Sequence, residues 1–394
     1  GTALGAKFAG IKHCRVKTIV DVDKRYWQKA VTSVAKAQGK APKAVQDFRR
    51  VLEDKAVDAV VIATPDHWHA PMAIEAIKAG KHVYVEKPCS HNPREGELLV
   101  AAARKYNRVV QMGTQRRSSA MARHMIGDIH AGVIGRVYYV KTWYANARPP
   151  IGFGTVGAPP SELDFDLWQG PAPRTAYRSN IHPYNWHWFW NWGTGEALNN
   201  GTHAIDLARW ALNVDYPTRV TSTGGRFHYR GLDDWQCPDT QTINAQFEDN
   251  KMIAWEGLSC NKVIGERTGF GVRFHGTEGA LLFLDDGYTI YDKNGKEVKT
   301  VGSKEITAQS ANPIDPGVKD THAENFLDAI LGNSALTAPI DEGHKSVLIC
   351  QLGNIALRSR SSLTCDPRNG HIVNNPGAQK LWTRDYESGW EPTI

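Results

Sequence analysis

Apolar residues recur along this chain in two rhythms. Up to about residue 116, short β-branched runs alternate with stretches of helical period. Val60-Val61-Ile62-Ala63 stops at Thr64-Pro65, and His82-Val83-Tyr84-Val85 stops at Glu86-Lys87-Pro88. Each reads as a buried parallel strand closed by a turn signal. Between them, residues 70–80 set Met72, Ala73, Ala76 and Ile77 on one side of a helix, with Gly80 as its stop. Residues 15–20 and 108–112 read as further strands. Residues 25–38, 45–52 and 93–106 read as helices, and residues 2–10 continue a first helix. The alternation predicts a doubly wound α/β unit over residues 1–116.

The second rhythm has period two. From residue 137 strands follow one another with few helices between them: 137–144, 219–223, 240–247, 252–258, 271–275, 280–283 and 288–291. Turns such as Asp249-Asn250 and Asp285-Asp286-Gly287 separate some of them. Residues 117–394 therefore read as an α+β unit with a large open, mostly antiparallel sheet. Its helices fall at 121–131, 196–212, 320–331 and 342–357. At 394 residues, two domains are the natural expectation.

Composition narrows the function. The net charge of +6 is spread along the chain with no basic block, which argues against nucleic acid as partner. No apolar run approaches the roughly 18 residues of a membrane span. The six cysteines are scattered without a C-x-x-C pair, so neither a zinc ribbon nor a disulfide scaffold is indicated. His67, His69, His182 and His187 match no helical ligand spacing, and no metal is expected.

Chemistry gathers at three places. Lys87 follows a strand at the carboxyl edge of a parallel sheet, the edge where ligands bind, and a lysine buried there can take on acid–base work. Residues 182–192 carry Trp186, Trp188, Trp190 and Trp192 at alternate positions. In an extended chain these would share one face, suited to the C–H faces of a sugar, or else plug the space between two domains. On the helix over 196–212, spacings of four and three set Asn199, His203 and Asp206 on one face. A long irregular segment, 146–180, precedes these elements, and a loop of that length is usually functional or disordered.

Thr64-Pro65-Asp66-His67-Trp68-His69, Ala79-Gly80-Lys81-His82-Val83-Tyr84-Val85-Glu86-Lys87-Pro88 and Met112-Gly113-Thr114-Gln115-Arg116-Arg117 resemble consecutive motifs of the glucose–fructose oxidoreductase / inositol dehydrogenase (Gfo/Idh/MocA) family. His275-Gly276-Thr277-Glu278-Gly279 resembles a turn of the same family. The resemblance implies a Rossmann domain, a substrate domain whose sheet pairs in a homo-oligomer, NAD as cofactor and a carbohydrate as substrate. It implies that Lys87 sits beside the nicotinamide and the reacting hydroxyl, and that the Lys87–Pro88 bond is cis. Gly1 aligns with the third glycine of the dinucleotide fingerprint. The first strand and the first two glycines are then expected before Gly1, as would be any signal peptide, so localisation stays open between cytoplasm and periplasm. Asp21, directly off a strand end, is expected on the adenosine ribose, which favours NAD over NADP; the plainer role for Asp21 or Asp23 is a helix cap.

Thr64, Pro65, His69, Glu86, Lys87 and Gln115 complete the implied cofactor set with Gly1 and Asp21. Lys87, Arg116, Trp186, Trp188, Asn199 and His203 form the implied substrate set, with Lys87 and His203 catalytic. The family's histidine is supported by an aspartate four residues earlier, and here Asn199 stands in that place. The implied reaction moves a hydride between a sugar or polyol hydroxyl and the nicotinamide. An NAD-dependent glycosidase acting by transient oxidation and elimination, and a non-catalytic sugar sensor, are the alternatives.

Overall fold

The computed structural model describes residues 1–263, 269–302, 306 and 321–394. The first unit contains α1 (Thr2–Ala9), β1 (Thr18–Val20), α2 (Trp27–Gln38), β2 (Lys43–Val45), α3 (Arg49–Leu52), β3 (Ala59–Ile62), α4 (Asp66–Lys78), β4 (His82–Val85), α5 (Pro93–Lys105) and β5 (Val110–Met112). Its strands are parallel and form two sheets, β1–β2 and β3–β4–β5. The facing edges β1 and β3 line a cavity of about 1460 Å³ that runs along both strands. Val20 on β1 and Val61 on β3 are each 37% exposed, high for strand valines. In contrast β5 is buried throughout and β4 nearly so, as their apolar runs require.

Two elements differ from the sequence reading. The helix expected over 45–52 is only α3, because residues 43–45 pair with β1 in the register Thr18↔Lys43, Ile19↔Ala44, Val20↔Val45. Backbone bonds to a neighbouring strand override a weak local helical preference. The helix of residues 70–80 starts earlier, at Asp66, so Pro71 falls inside it as the sixth residue, and the His67 carbonyl that its missing N–H would have bonded accepts from Arg384 Nη2 at 2.7 Å.

The second unit is built on a ten-stranded sheet among the described residues. Its strands are β6 (Val137–Ala145), β7 (Arg219–Gly225), β8 (Thr240–Phe247), β9 (Lys251–Leu258), β10 (Phe270–Gly276), β11 (Gly279–Phe283), β12 (Gly287–Asp292), β13 (Glu297–Gly302), β14 (Leu363–Cys365) and β15 (Ile372–Val373), in the order β13-β12-β11-β10-β6-β9-β8-β7-β14-β15. Only β6 and β9 pair in parallel. Along β8, Gln241, Ile243, Ala245 and Phe247 are buried while Thr240, Thr242, Asn244 and Gln246 face outward, the alternation of a sheet with one packed face.

Among the described residues the helices of this unit are α6 (Ala120–His130), α7 (Phe165–Gln169), α8 (Thr202–Leu212), α9 (Thr321–Ile330), α10 (Ile340–Ser359) and α11 (Pro376–Gln379). Residue 320, the expected start of α9, lies outside the described residues. α9 returns to the first unit, where Phe326 meets Phe8 and Tyr84 edge-on. α10 is buried along most of its length and packs on α5, α8 and β7. One apolar core thus runs from β3–β5 through α8 and α10 into the large sheet, and it holds the carboxyl edge of the parallel strands against the start of α8.

Candidate active site

Lys87 leaves β4 at that edge and reaches across to the segment before α8. Its Nζ donates to the Asn199 carbonyl at 2.5 Å and to Asn199 Oδ1 at 2.8 Å. The helix expected from 196 begins as one π-helical turn, Ala197–Gly201, before α8. The two observations are connected. In an α-helix the Asn199 carbonyl would take the N–H of residue 203, whereas here it serves Lys87. π-turns carry i→i+5 bonds; Asn199 lies in the π-turn and His203 in the first turn of α8, on either side of the change in pitch. Asp206 turns away altogether. It takes a bidentate Arg117 at 2.8–3.0 Å and the Ser346 hydroxyl at 2.7 Å, all buried.

Behind Asn199 lies a second charged pair. Arg148 donates from Nε and Nη2 to Glu196 at 2.9 and 3.3 Å, and its guanidinium lies 4.8 Å from the Trp188 ring. Glu196 also accepts from Ser259 at 3.2 Å, from Asn199 Nδ2 at 3.4 Å and from Asn200 Nδ2. On the other side Asp66, at the start of α4, accepts the Thr194 hydroxyl at 2.5 Å. Burial raises the Asp66 pKa to about 6, against the pull of Thr194 and Lys87. Burial lowers the Lys87 pKa below its ordinary value, and Asp66, Glu86 and Glu196 oppose the shift. His203 is held neutral far below its usual range by desolvation and then by Arg116 and Lys87. Its Nδ1 is buried without a partner.

The cavity side presents a polar rim. Asp21 lines it half-buried, and among the described residues its carboxylate accepts only the Asp23 N–H at 3.0 Å. Asp23 is the residue that caps: it accepts from Arg25 N, is ion-paired with the Arg25 side chain, and has His182 at 3.8 Å. The roles left open in the sequence are thereby divided, with Asp21 facing the cavity and Asp23 consumed structurally. The Thr64 and Thr114 hydroxyls, at the ends of β3 and β5, are buried without partners. His69 places Nδ1 2.6 Å from the Pro88 carbonyl and Nε2 2.8 Å from the Thr64 carbonyl, bracing the ends of β3 and β4. Two carbonyls ask for an imidazolium, yet burial lowers its pKa to about 4. A neutral ring that donates to one carbonyl is the state consistent with so dry a site. Gln115 donates to Glu86 Oε1 at 3.2 Å. A Cβ on Gly113 would lie 2.8 Å from Glu86, so this glycine admits that side chain. A Cβ on Gly1 would meet Ala63 at an ordinary 3.9 Å. An acidic rim over a strand end and unpartnered hydroxyls at the strand ends fit a dinucleotide whose ribose and nicotinamide seek such partners.

Comparison with known proteins agrees. Residues 4–114 match the family model described as an oxidoreductase family with an NAD-binding Rossmann fold, and residues 122–282 match the GFO/IDH/MocA C-terminal domain, so the two together span most of the chain. The chain belongs to the Gfo/Idh/MocA oxidoreductases. It is 26% identical over 302 residues to a 1,5-anhydro-D-fructose reductase of Ensifer adhaerens, covering 76% of this chain and 78% of that one. It is 24% identical over 341 residues to a levoglucosan dehydrogenase of Pseudarthrobacter phenanthrenivorans, covering 77% and 78%. A solved levoglucosan dehydrogenase in complex with NADH and levoglucosan superposes with a TM-score of 0.67 at 20% identity, over 92% of this chain and 96% of that one. At that identity the likeness shows the fold.

Against the Gfo/Idh/MocA expectations, the substrate side differs most. The Trp-rich segment is not extended. Asn185–Trp188 is a 3₁₀ turn, and the tryptophans divide between two clusters. Trp186 and Trp192 pack with Phe165 and Trp168, whereas Trp188 stacks on Trp235 at 4.0 Å. Burial of three of the four is the plug reading: indoles this large gain more from packing together than from a shared open face. Trp186 and His187 still line the cavity and stack on each other, while Trp188 backs Arg148. Arg116 is committed to Asp285 by bonds of 2.7 and 2.8 Å and lies over Phe270. His67 and Trp68 both hold the Trp168 carbonyl, fastening the long loop to α4. The Lys87–Pro88 peptide is cis, as is His182–Pro183. Sequence reasoning missed Asp66, Thr194, Arg148 and Glu196. Asp66 and Glu196 stood inside quoted stretches, but nothing in their spacing joins them to Lys87, and Arg148 sits in a segment without pattern.

Proposed function

We propose that this protein is an NAD-dependent oxidoreductase acting on a hydroxyl-bearing carbon of a sugar or polyol. The observation that carries the reading is the Lys87 ammonium, fixed at the carboxyl edge of the parallel sheet by two bonds to Asn199 with an unpartnered, neutral His203 within its electrostatic reach. When bound, the nicotinamide supplies the hydride acceptor or donor. Lys87 then donates its remaining N–H to the reacting oxygen and orients it. His203 accepts the hydroxyl proton during oxidation, a task for which a neutral imidazole is required. Asp21 holds the ribose hydroxyls and repels a 2′-phosphate. Thr64, Pro65, Gly113, Thr114 and Gln115 would hold the nicotinamide end, and Trp186 and His187 would bound the sugar. The relatives named for anhydrofructose reduction and levoglucosan oxidation support a small cyclic carbohydrate as substrate. We also assign it a homo-oligomeric state, which light scattering tests.

The deciding experiment follows nicotinamide absorbance with NAD and a panel of sugars, anhydrosugars and polyols, and with NADH and the corresponding ketones. Sustained turnover on any of them is expected. NAD binding without turnover on the whole panel would sink the reading, and release of an aglycone with no net NADH would replace it with the elimination chemistry.

A further inference from the structure

The family's aspartate is missing at position 199, yet the site is not short of a carboxylate. Glu196 lies three residues earlier, 3% exposed, and contacts the same amide that holds Lys87. The geometry of that amide has one consistent reading. An ionised carboxylate only accepts, so the Asn199 end facing Glu196 must be the NH₂ group. An ammonium only donates, so the end facing Lys87 must be Oδ1. Glu196 is itself pinned by Arg148, Ser259 and Asn200. The chain Arg148–Glu196–Asn199–Lys87 therefore alternates donor and acceptor without a mismatch, and it leaves one ammonium N–H of Lys87 for a substrate oxygen. An aspartate at 199 would break the alternation by setting two carboxylates against each other at 3.4 Å.

We propose that Glu196 is a positioning residue of this site, which through the Asn199 amide fixes the Lys87 ammonium and supplies the negative charge that an aspartate at 199 would carry. The inference rests on Lys87 being the site lysine of the proposed reaction. Lys87 also faces Asp66 and Glu86 as negative groups, Arg148 as a positive one, and the neutral rings of His69, His187 and His203. These stay constant in the comparison below, apart from Arg148 where it is itself replaced.

The test reads Lys87 directly in the full-length, cofactor-free protein. Lysine is labelled with ¹³C at Cε, the Lys87 resonance is assigned by its loss in Lys87→Met, and its titration is followed by NMR. Glu196→Gln is expected to lower the Lys87 midpoint by about one pH unit, because a nearby opposite charge favours the charged form. Arg148→Gln, which leaves the Glu196 charge unshared, is expected to raise it. The double variant Glu196→Gln/Asn199→Asp restores a carboxylate beside Lys87 with an amide behind it, and its midpoint is expected to return toward wild type. In the active enzyme the Lys87-governed limb of kcat/KM moves in the same directions. A merely structural ion pair would lower stability in both single variants with no movement of opposite sign. An unmoved Lys87 midpoint in either single variant overturns the proposal, as does failure of the double variant to restore it. Should Glu196→Gln not fold, the sign of the Arg148→Gln shift decides: upward supports, unmoved or downward overturns. Opposite shifts in a protein that turns over no sugar count against the proposed reaction and leave the role of Glu196 standing.

Discussion

Mild acid should weaken this fold well before its surface carboxylates titrate. His67, His69 and His344 are 0%, 2% and 5% exposed, and burial lowers their pKa values to about 3, 4 and 4. An unfolded histidine titrates near 6.5. A histidine depressed in the fold costs nothing above that pH, and stability is lost as pH falls below it until the folded pKa is reached. Between pH 7 and pH 5 each of the three contributes a loss of about 2 kcal/mol, or about 5–6 kcal/mol together. Asp66 works the other way. Its folded pKa of about 6 lies above the unfolded 3.8, so it adds stability as pH falls and offsets a little over about 1 kcal/mol at pH 5. The net loss from these four groups, about 4 kcal/mol, is large beside the 5–15 kcal/mol that typically holds a protein folded. Urea unfolding followed by fluorescence of the 13 tryptophans should show a midpoint lower by roughly 1 M at pH 5 than at pH 7. His344 Nδ1 is buried without a partner, so His344→Gln should remove about 2 kcal/mol of the pH dependence. Equal midpoints at the two pH values, or an unchanged pH dependence in His344→Gln, would refute the reasoning.

Three further outcomes are expected. Lys87→Met should cut turnover by about a hundredfold or more, as for a lost acid–base group, with NAD affinity within a few-fold of wild type by titration; near-normal turnover would leave Lys87 a purely structural cation. Wild type should bind NAD more tightly than NADP, and Asp21→Ala should narrow that preference by about tenfold, one charge-assisted hydrogen bond. Calorimetric titration of both cofactors checks this, and tighter NADP binding by wild type rejects the role of Asp21. Gly113→Ala should lower thermal stability by about 1–3 kcal/mol, because its Cβ would sit 2.8 Å from Glu86; an unchanged melting temperature would mean that Glu86 moves aside freely.

Local pattern was enough for most elements. A β-branched run ended by a turn signal, or an apolar face ended by glycine, depends on residues a few places apart. The strands before Thr64 and before Glu86, the helix of residues 93–105 and the alternation along 240–247 were therefore legible. So were the position of Lys87 at a sheet edge and, through consecutive motifs, the family. The segment 43–45 was not, because its strand character comes from pairing with residues 18–20 and from nothing in its own composition.

The arrangement of the candidate site belongs to the tertiary structure. Asn199 was read as the partner of His203, four residues away on one helix, and it serves instead Lys87, 112 residues away, whose ammonium takes its carbonyl and accompanies a π-turn. Trp186 and Trp188 alternate in sequence yet bury in different clusters, since the turn between them replaces the extended chain that alternation assumes. Arg148 carries no sequence signal, but it neutralises Glu196 across 48 residues. The amino-acid sequence by itself determined which residues could ionise, donate or pack, and where most strands and helices lie. Which of them meet was decided by burial, because a desolvated charge or amide accepts only a complementary partner, and chain distance has no part in that choice.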